Sequence, residues 1–189
     1  MDFRFLKACG SGRLVLGSKP MKSSQFMQTQ FLCHKMSQNS TVFSMFLNVE
    51  IVQYMLDLGA DMRQYNHLAS VSSKGHLDVL KLLIRYGANV NENIYNCGTP
   101  LQNAVKKKHL KIVSELLKSG ANPNLQYRDG NTSIHVAATL PDSMKVLLNE
   151  GGYIDLNIRN KHGQTALEIA LEKGCKDIAK MILLYMKSI

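Results

Sequence analysis

Four places in the sequence combine residue types that could act on a substrate or hold an ion. Gly12-Arg13-Leu14-Val15-Leu16-Gly17-Ser18-Lys19 has the glycines and lysine of a phosphate cradle. That chemistry needs Lys followed by Ser or Thr, opening a helix after a strand. Here Ser18 precedes Lys19, and Pro20 follows. Cys33-His34 supplies a thiol and an imidazole, but sequence neighbours rarely point together, and no second ligand cluster supports a metal. Asp142, Glu168 and Asp177 lack the paired spacing of a general acid and base. Lys106-Lys107-Lys108 could be a nuclear signal or a nucleic-acid patch, or could border a protein-binding surface. The sequence therefore predicts no enzyme, no metal and no cofactor.

The bulk composition sets the remaining bounds. The 189 residues are 45% hydrophobic and 20% charged, the balance of one globular domain. Lys and Arg number 23 against 14 Asp and Glu, a formal net charge of +9, which favours acidic partners without choosing among protein, lipid and nucleic acid. The longest apolar runs, such as 181–186, fall far below the roughly 18 residues that cross a bilayer. No apolar stretch of signal-peptide length follows the first basic residues. Cys9, Cys33, Cys97 and Cys175 are widely spaced, so reduced thiols in a cytoplasmic or nuclear protein are expected.

What would position any functional side chain is a repeat. Thr99, Thr132 and Thr165 are 33 residues apart, and Asn91, Asn124 and Asn157 keep the same period. So do Leu68, Leu101, Ile134 and Leu167. Each threonine opens a segment with small residues (Ala104, Ala137, Ala170), and a second apolar stripe follows, as in Leu82-Leu83 and Leu116-Leu117. Two short helices and a turn per unit are predicted, with threonine as N-cap, Pro100 at N1, and Gly87 and Gly120 closing the second helix. Gly75 and Gly174 fall where the chain reverses between helices. No unit can bury its own stripe, so the units must stack.

This pattern resembles the ankyrin repeat. The likeness covers 34–61 as a degenerate first unit and 62–189 as four more (62–94, 95–127, 128–160, 161–189), so 128–160 is the fourth of five. It implies an all-α solenoid of stacked helix–turn–helix pairs with short β-hairpin or loop fingers. In the degenerate unit only the second helix, 48–56, fits well. The seven steps from Gly59 to Asn66, against twelve from Gly87 to Thr99, predict a truncated finger. The fourth unit loses two residues before Met144 and regains them in 151–154, with Pro141 in place of the glycine turn. Lys108 stands where Gly75 and Gly174 stand elsewhere. Residues 1–33 fit no unit. Their basic, Ser-rich composition is that of a transit peptide, but Asp2 and a weak amphipathic stripe favour a flexible tail or irregular cap.

The resemblance also implies a binding surface: finger tips and first helices line a groove that takes a partner protein. Carried over position by position, it comprises Ser73, Lys74, Tyr95, Asn96, Lys106, Lys107, Arg128, Asp129, Asn131, Arg159, Lys161, His162, Gln164, Glu172 and Lys173. Seven are basic, opposed by Asp129 and Glu172 alone, so the expected partner is a protein with an acidic surface, bound by a monomer. The resemblance makes His76, His109 and His135 scaffold rather than catalytic residues. It also marks Asn91, eight residues after Leu83, as a possible hydroxylation site beside a purely structural role. Two alternative functions stand with this one: electrostatic binding of nucleic acid or anionic lipid, and an inhibitor-of-NF-κB-like decoy or enzyme regulator.

Overall fold

The computed structural model describes residues 49–57, 67–92 and 98–188. The chain divides into two units, 1–65 and 66–189. In the first, helix α1 (Val49–Asp57) carries Glu50 in its first turn, where a carboxylate favours the helix dipole, and buries Val52 and Leu56 one turn apart. The phosphate-cradle stretch, Cys33-His34 and the truncated finger lie outside the described residues.

In the second unit, eight helices form four pairs among the described residues: α2 (His67–Lys74) with α3 (Leu77–Arg85), α4 (Pro100–Lys106) with α5 (Leu110–Lys118), α6 (Ser133–Ala137) with α7 (Pro141–Glu150), and α8 (Ala166–Glu172) with α9 (Lys176–Ser188). First helices stack on first helices and second on second, so the core lies between successive pairs. Leu80, Leu83, Ile112, Leu116, Met144, Leu147 and Ile182 fill it from the second helices, each at most 1% exposed. At roughly 1.5–3 kcal/mol per side chain, this burial outweighs any local preference of such short helices. Ala104, Ala137 and Ala170 are fully buried, and their small side chains let the first helices approach.

Local chemistry sets the helix ends. The Thr99 hydroxyl accepts the Gln102 N–H at 3.1 Å while the Gln102 side-chain carbonyl accepts the Thr99 N–H at 3.2 Å; Thr165 and Glu168 repeat this reciprocal cap. At the other end of α3 and α5, Gly87 and Gly120 take φ of 84° and 86°, and their own N–H groups with those of Ala88 and Ala121 satisfy the last carbonyls. The two-residue deletion leaves α6 only five residues long, and Pro141 opens α7 directly.

The β-hairpin fingers expected from the resemblance are turns instead. No strand occurs among the described residues, where an isolated antiparallel bridge pairs Tyr127 with Asn131. These fingers are too short for a ladder: each closes on itself through turn hydrogen bonds, and three more join it to the neighbouring finger.

The helix-to-helix turns also differ in one telling place. Gly75 has φ 87°, and a Cβ there would meet the His109 ring at 2.8 Å. That ring bridges two units: the Ser73 carbonyl can only accept, so Nε2–H of His109 donates to it at 3.2 Å. Lys108 holds the same left-handed turn, φ 59°, without glycine. The next unit presents Leu140 rather than histidine at the matching N-cap, so no imidazole crowds Lys108. Its cost is conformational alone, and Lys108→Gly is expected to raise stability by about 0.5–1 kcal/mol, the strain relieved being partly offset by the freer unfolded chain. Urea melts decide it: an unchanged or lower midpoint means the turn accepts a side chain without strain.

Candidate functional site

Among the described residues, two neighbouring fingers form a defined surface feature. In the finger between α5 and α6, the Tyr127 N–H donates to the Asn131 carbonyl at 3.1 Å and Gly130 makes the turn with φ 70°. In the finger between α7 and α8, the Asn160 side-chain oxygen accepts the N–H groups of His162 and Gln164 at 2.9 and 3.0 Å. That asparagine shapes the turn from inside. The two fingers are then fastened to each other. The Lys161 N–H donates to the Asp129 carbonyl at 2.8 Å, Asn160 Nδ2 to Asn131 Oδ1 at 3.0 Å, and Gln126 Nε2 to the Arg159 carbonyl at 2.9 Å.

Between them lies a cleft of about 470 Å³, lined by Arg128, Arg159 and Lys161 with Gln126, Tyr127, Gly130 and Asn160. The Arg128 guanidinium stands 5.9 Å from the Tyr127 ring centroid, a cation–π distance. Arg159 pairs with Glu168 at 3.1 Å and donates to the Gly163 carbonyl. The Thr165 backbone N–H, and after it the charge of Arg159, holds the Glu168 carboxyl below the usual carboxylate range. Arg128 and Lys161 are exposed and have no carboxylate partner among the described residues. The cleft is thus a cationic concavity on a hydrogen-bonded frame.

The other expected site residues fall into three groups. Lys74, Lys106, Lys107 and Lys173 are exposed at the ends of first helices, and Glu172 accepts from Gln164 at 2.6 Å and pairs with Lys173 at 3.7 Å. Ser73 and Asn131 serve the scaffold: the carbonyl of Ser73 takes His109, and Asn131 ties helix α4 to its own finger and the next. Its carbonyl accepts Gln102 Nε2 at 2.7 Å as well as the Tyr127 N–H. His162 is exposed, while Tyr95 and Asn96 lie outside the described residues. Asn91 donates to the Gly120 carbonyl at 3.1 Å and accepts the Asn122 N–H at 2.7 Å; Asn124 does the same to Tyr153 and Asp155 at 3.0 Å each. The periodic asparagine is a staple to the next unit.

A second staple was expected from the sequence only at His135, through the resemblance, and not at Gln102. At the third position of α4, α6 and α8 stand Gln102, His135 and Glu168. Gln102 Nε2 reaches the carbonyls of Leu125 and Asn131; His135 Nε2 reaches that of Gln164 at 3.1 Å. The His135 Nδ1 meanwhile accepts the Thr132 hydroxyl at 2.8 Å and its N–H at 3.2 Å. These contacts fix the neutral Nε2–H tautomer. Burial, opposed by the bonds to Gln164 and Ile158, lowers its pKa below the ordinary 6.5.

The family model described as ankyrin repeats (3 copies) matches residues 42–127 and 101–189. The chain belongs to the ankyrin-repeat family. A curated relative, the mouse (Mus musculus) B-cell lymphoma 3 protein homolog, is 36% identical over 89 residues, 45% of this chain and 20% of that protein. The chain thus aligns with about a fifth of that relative's length. Ankyrin repeats are non-catalytic scaffolds for protein–protein interaction, and this chain has that general role. Among the described residues no group of three or more His, Cys, Asp or Glu could hold a metal, and no helix is long and apolar enough to cross a membrane.

Proposed function

We propose that this ankyrin array binds a partner protein with an acidic surface, using the finger cleft and the lysines at the neighbouring first-helix ends. The observation that carries it is the convergence of Arg128, Arg159 and Lys161 on one cleft in which only Arg159 is ion-paired among the described residues. A carboxylate entering there would gain charge-assisted hydrogen bonds, and the stapled fingers would hold the cations in place beforehand. Arg128, backed by Tyr127, is the residue type that dominates interface energetics. The reading includes a monomer working in the cytoplasm or nucleus, in keeping with the free, half-buried Cys175.

The test is a paired charge reversal. Lys106, Lys107 and Arg128 are exposed, so replacing all three with Glu costs the fold within about 0.5 kcal/mol each. At the interface, like charges cost several kcal/mol, and capture of a partner identified by mass spectrometry is expected to drop by about 100-fold or more. Lys81, Lys118 and Lys145 on the second helices, reversed together, form the control. Equal losses from both triples would mean that binding follows overall charge. A loss from the control alone would move the partner to the second helices.

A further inference from the structure

The last helix pair presents a face that the interior pairs keep covered. Leu171 ends the series Val105, Ala138, Leu171 at the 33-residue period. The first two are fully buried in the stack, and Leu171 is 58% exposed. Helix α9 adds to it. Where Gly87 and Gly120 end the earlier second helices, the matching position is Met186, so α9 runs on to Ser188. Leu183 and Leu184 stand out at 47% and 57% exposure. With Leu171 they floor a groove of about 430 Å³ between α8 and α9, and Lys176, Lys180 and Lys187 line it too. Residues 176, 180, 183, 184 and 187 recur at helical spacing, so apolar floor and cationic rim share one side of α9.

We infer that this groove is a second docking surface, taking an acidic amphipathic helix of a partner protein. Three observations select that occupant. At the same period, the stack covers Val105 and Ala138 with the helices of the next pair, so the face has the shape and chemistry of a helix seat. It lacks the third-position donor that fastens one unit to the next. Gln102 and His135 donate to the following finger, whereas Glu168 in that position is acceptor-only and engaged with Thr165 and Arg159. The rim chooses the partner's sign: a second copy placed face to face would set the three lysines against themselves, and a helix flanked by carboxylates would neutralise them. The surface is separate from the finger cleft, and the proposal stands whether or not the cleft reading does.

The test uses the full chain and two synthetic peptides of about four helical turns, each with leucines at i, i+3, i+4 and i+7, flanked by glutamates in one and lysines in the other. Fluorescence anisotropy should show the glutamate peptide binding at least about tenfold tighter than the lysine peptide. Leu171→Ser with Leu184→Ser, both exposed and so harmless to the fold, should weaken the glutamate peptide by about tenfold or more, as should Lys180→Glu with Lys187→Glu. The Lys106, Lys107 and Arg128 reversal should leave it unchanged, which separates this surface from the cleft. No binding, equal binding of both peptides, or insensitivity to the leucine pair would overturn the proposal. So would sedimentation of the chain as a dimer that the leucine pair dissolves. Binding to phosphatidylserine vesicles, abolished by the leucine pair without any peptide binding, would make the face a lipid surface instead.

Discussion

Gly130→Ala is expected to destabilise the array by about 2–4 kcal/mol, though the residue lies on a finger tip and not in the apolar core. Two costs add. The backbone holds φ 70°, where any Cβ is strained by about 1–2 kcal/mol. The added carbon would also sit 2.8 Å from the Lys161 backbone nitrogen and 3.0 Å from the Asn160 Cα, and neither is a flexible side-chain end. Relief requires the fingers to part, which breaks the Lys161-to-Asp129 bond and strains Asn160 against Asn131. Gly163→Ala supplies the control, having φ 74° but nothing within 4 Å of its Cβ position. Urea melts should place Gly130→Ala well below Gly163→Ala. If the two fall together, the close approach of the fingers contributes nothing.

The second large effect is at His135. Its ring closes the helix cap of its own unit and reaches the next, so His135→Ala leaves the Thr132 N–H and the Gln164 carbonyl without their partners. At about 1–3 kcal/mol for each buried group left unsatisfied, a total loss of about 3 kcal/mol is expected. Glutamine performs both tasks at the matching position 102, so His135→Gln should retain most of the stability. The pH dependence follows from the lowered pKa. Above 6.5 the imidazole is neutral in both folded and unfolded chains, and its contribution is complete. Below 6.5 the unfolded chain takes up the proton first, so stability falls as pH falls towards the folded pKa. Melting temperature followed downwards from neutral pH should decline less steeply in His135→Gln than in the wild type. Identical slopes would show that other groups govern the acid response.

The sequence disclosed what one residue type does at one period. Thr99 and Thr165 as caps, Gly87 and Gly120 as helix ends, and Lys108 as the odd left-handed turn were all legible, because each acts through its own backbone. The staple at 102, 135 and 168 was legible only at His135, which the resemblance made scaffold. Three different letters occupy it, and what Gln102 and His135 share is a donor aimed across a unit boundary. The hairpin fingers were expected from likeness alone; a tip such as Tyr127–Asn131 is long enough for one bridge, and Asp129 and Asn131 bond sideways to the next finger. The basic positions were found by register, but which of them meet was not. Arg128, Arg159 and Lys161 belong to two fingers, and only the bonds between fingers bring them to one cleft.

Those sideways bonds turn the array into something like a vernier scale. Asn91 reaches residues 120 and 122, and Asn124 reaches 153 and 155, so the same offsets recur across the boundary that contains the two-residue deletion. The graduations still coincide there because 151–154 restore what was removed before Met144. A change of length inside any unit would put every donor one mark away from its acceptor along the whole boundary, a fault no local rearrangement absorbs. Lengthening or shortening between units joined in this way is therefore tolerated in cancelling pairs, or by whole graduations of 33 residues, and the fourth unit is a record of one such pair.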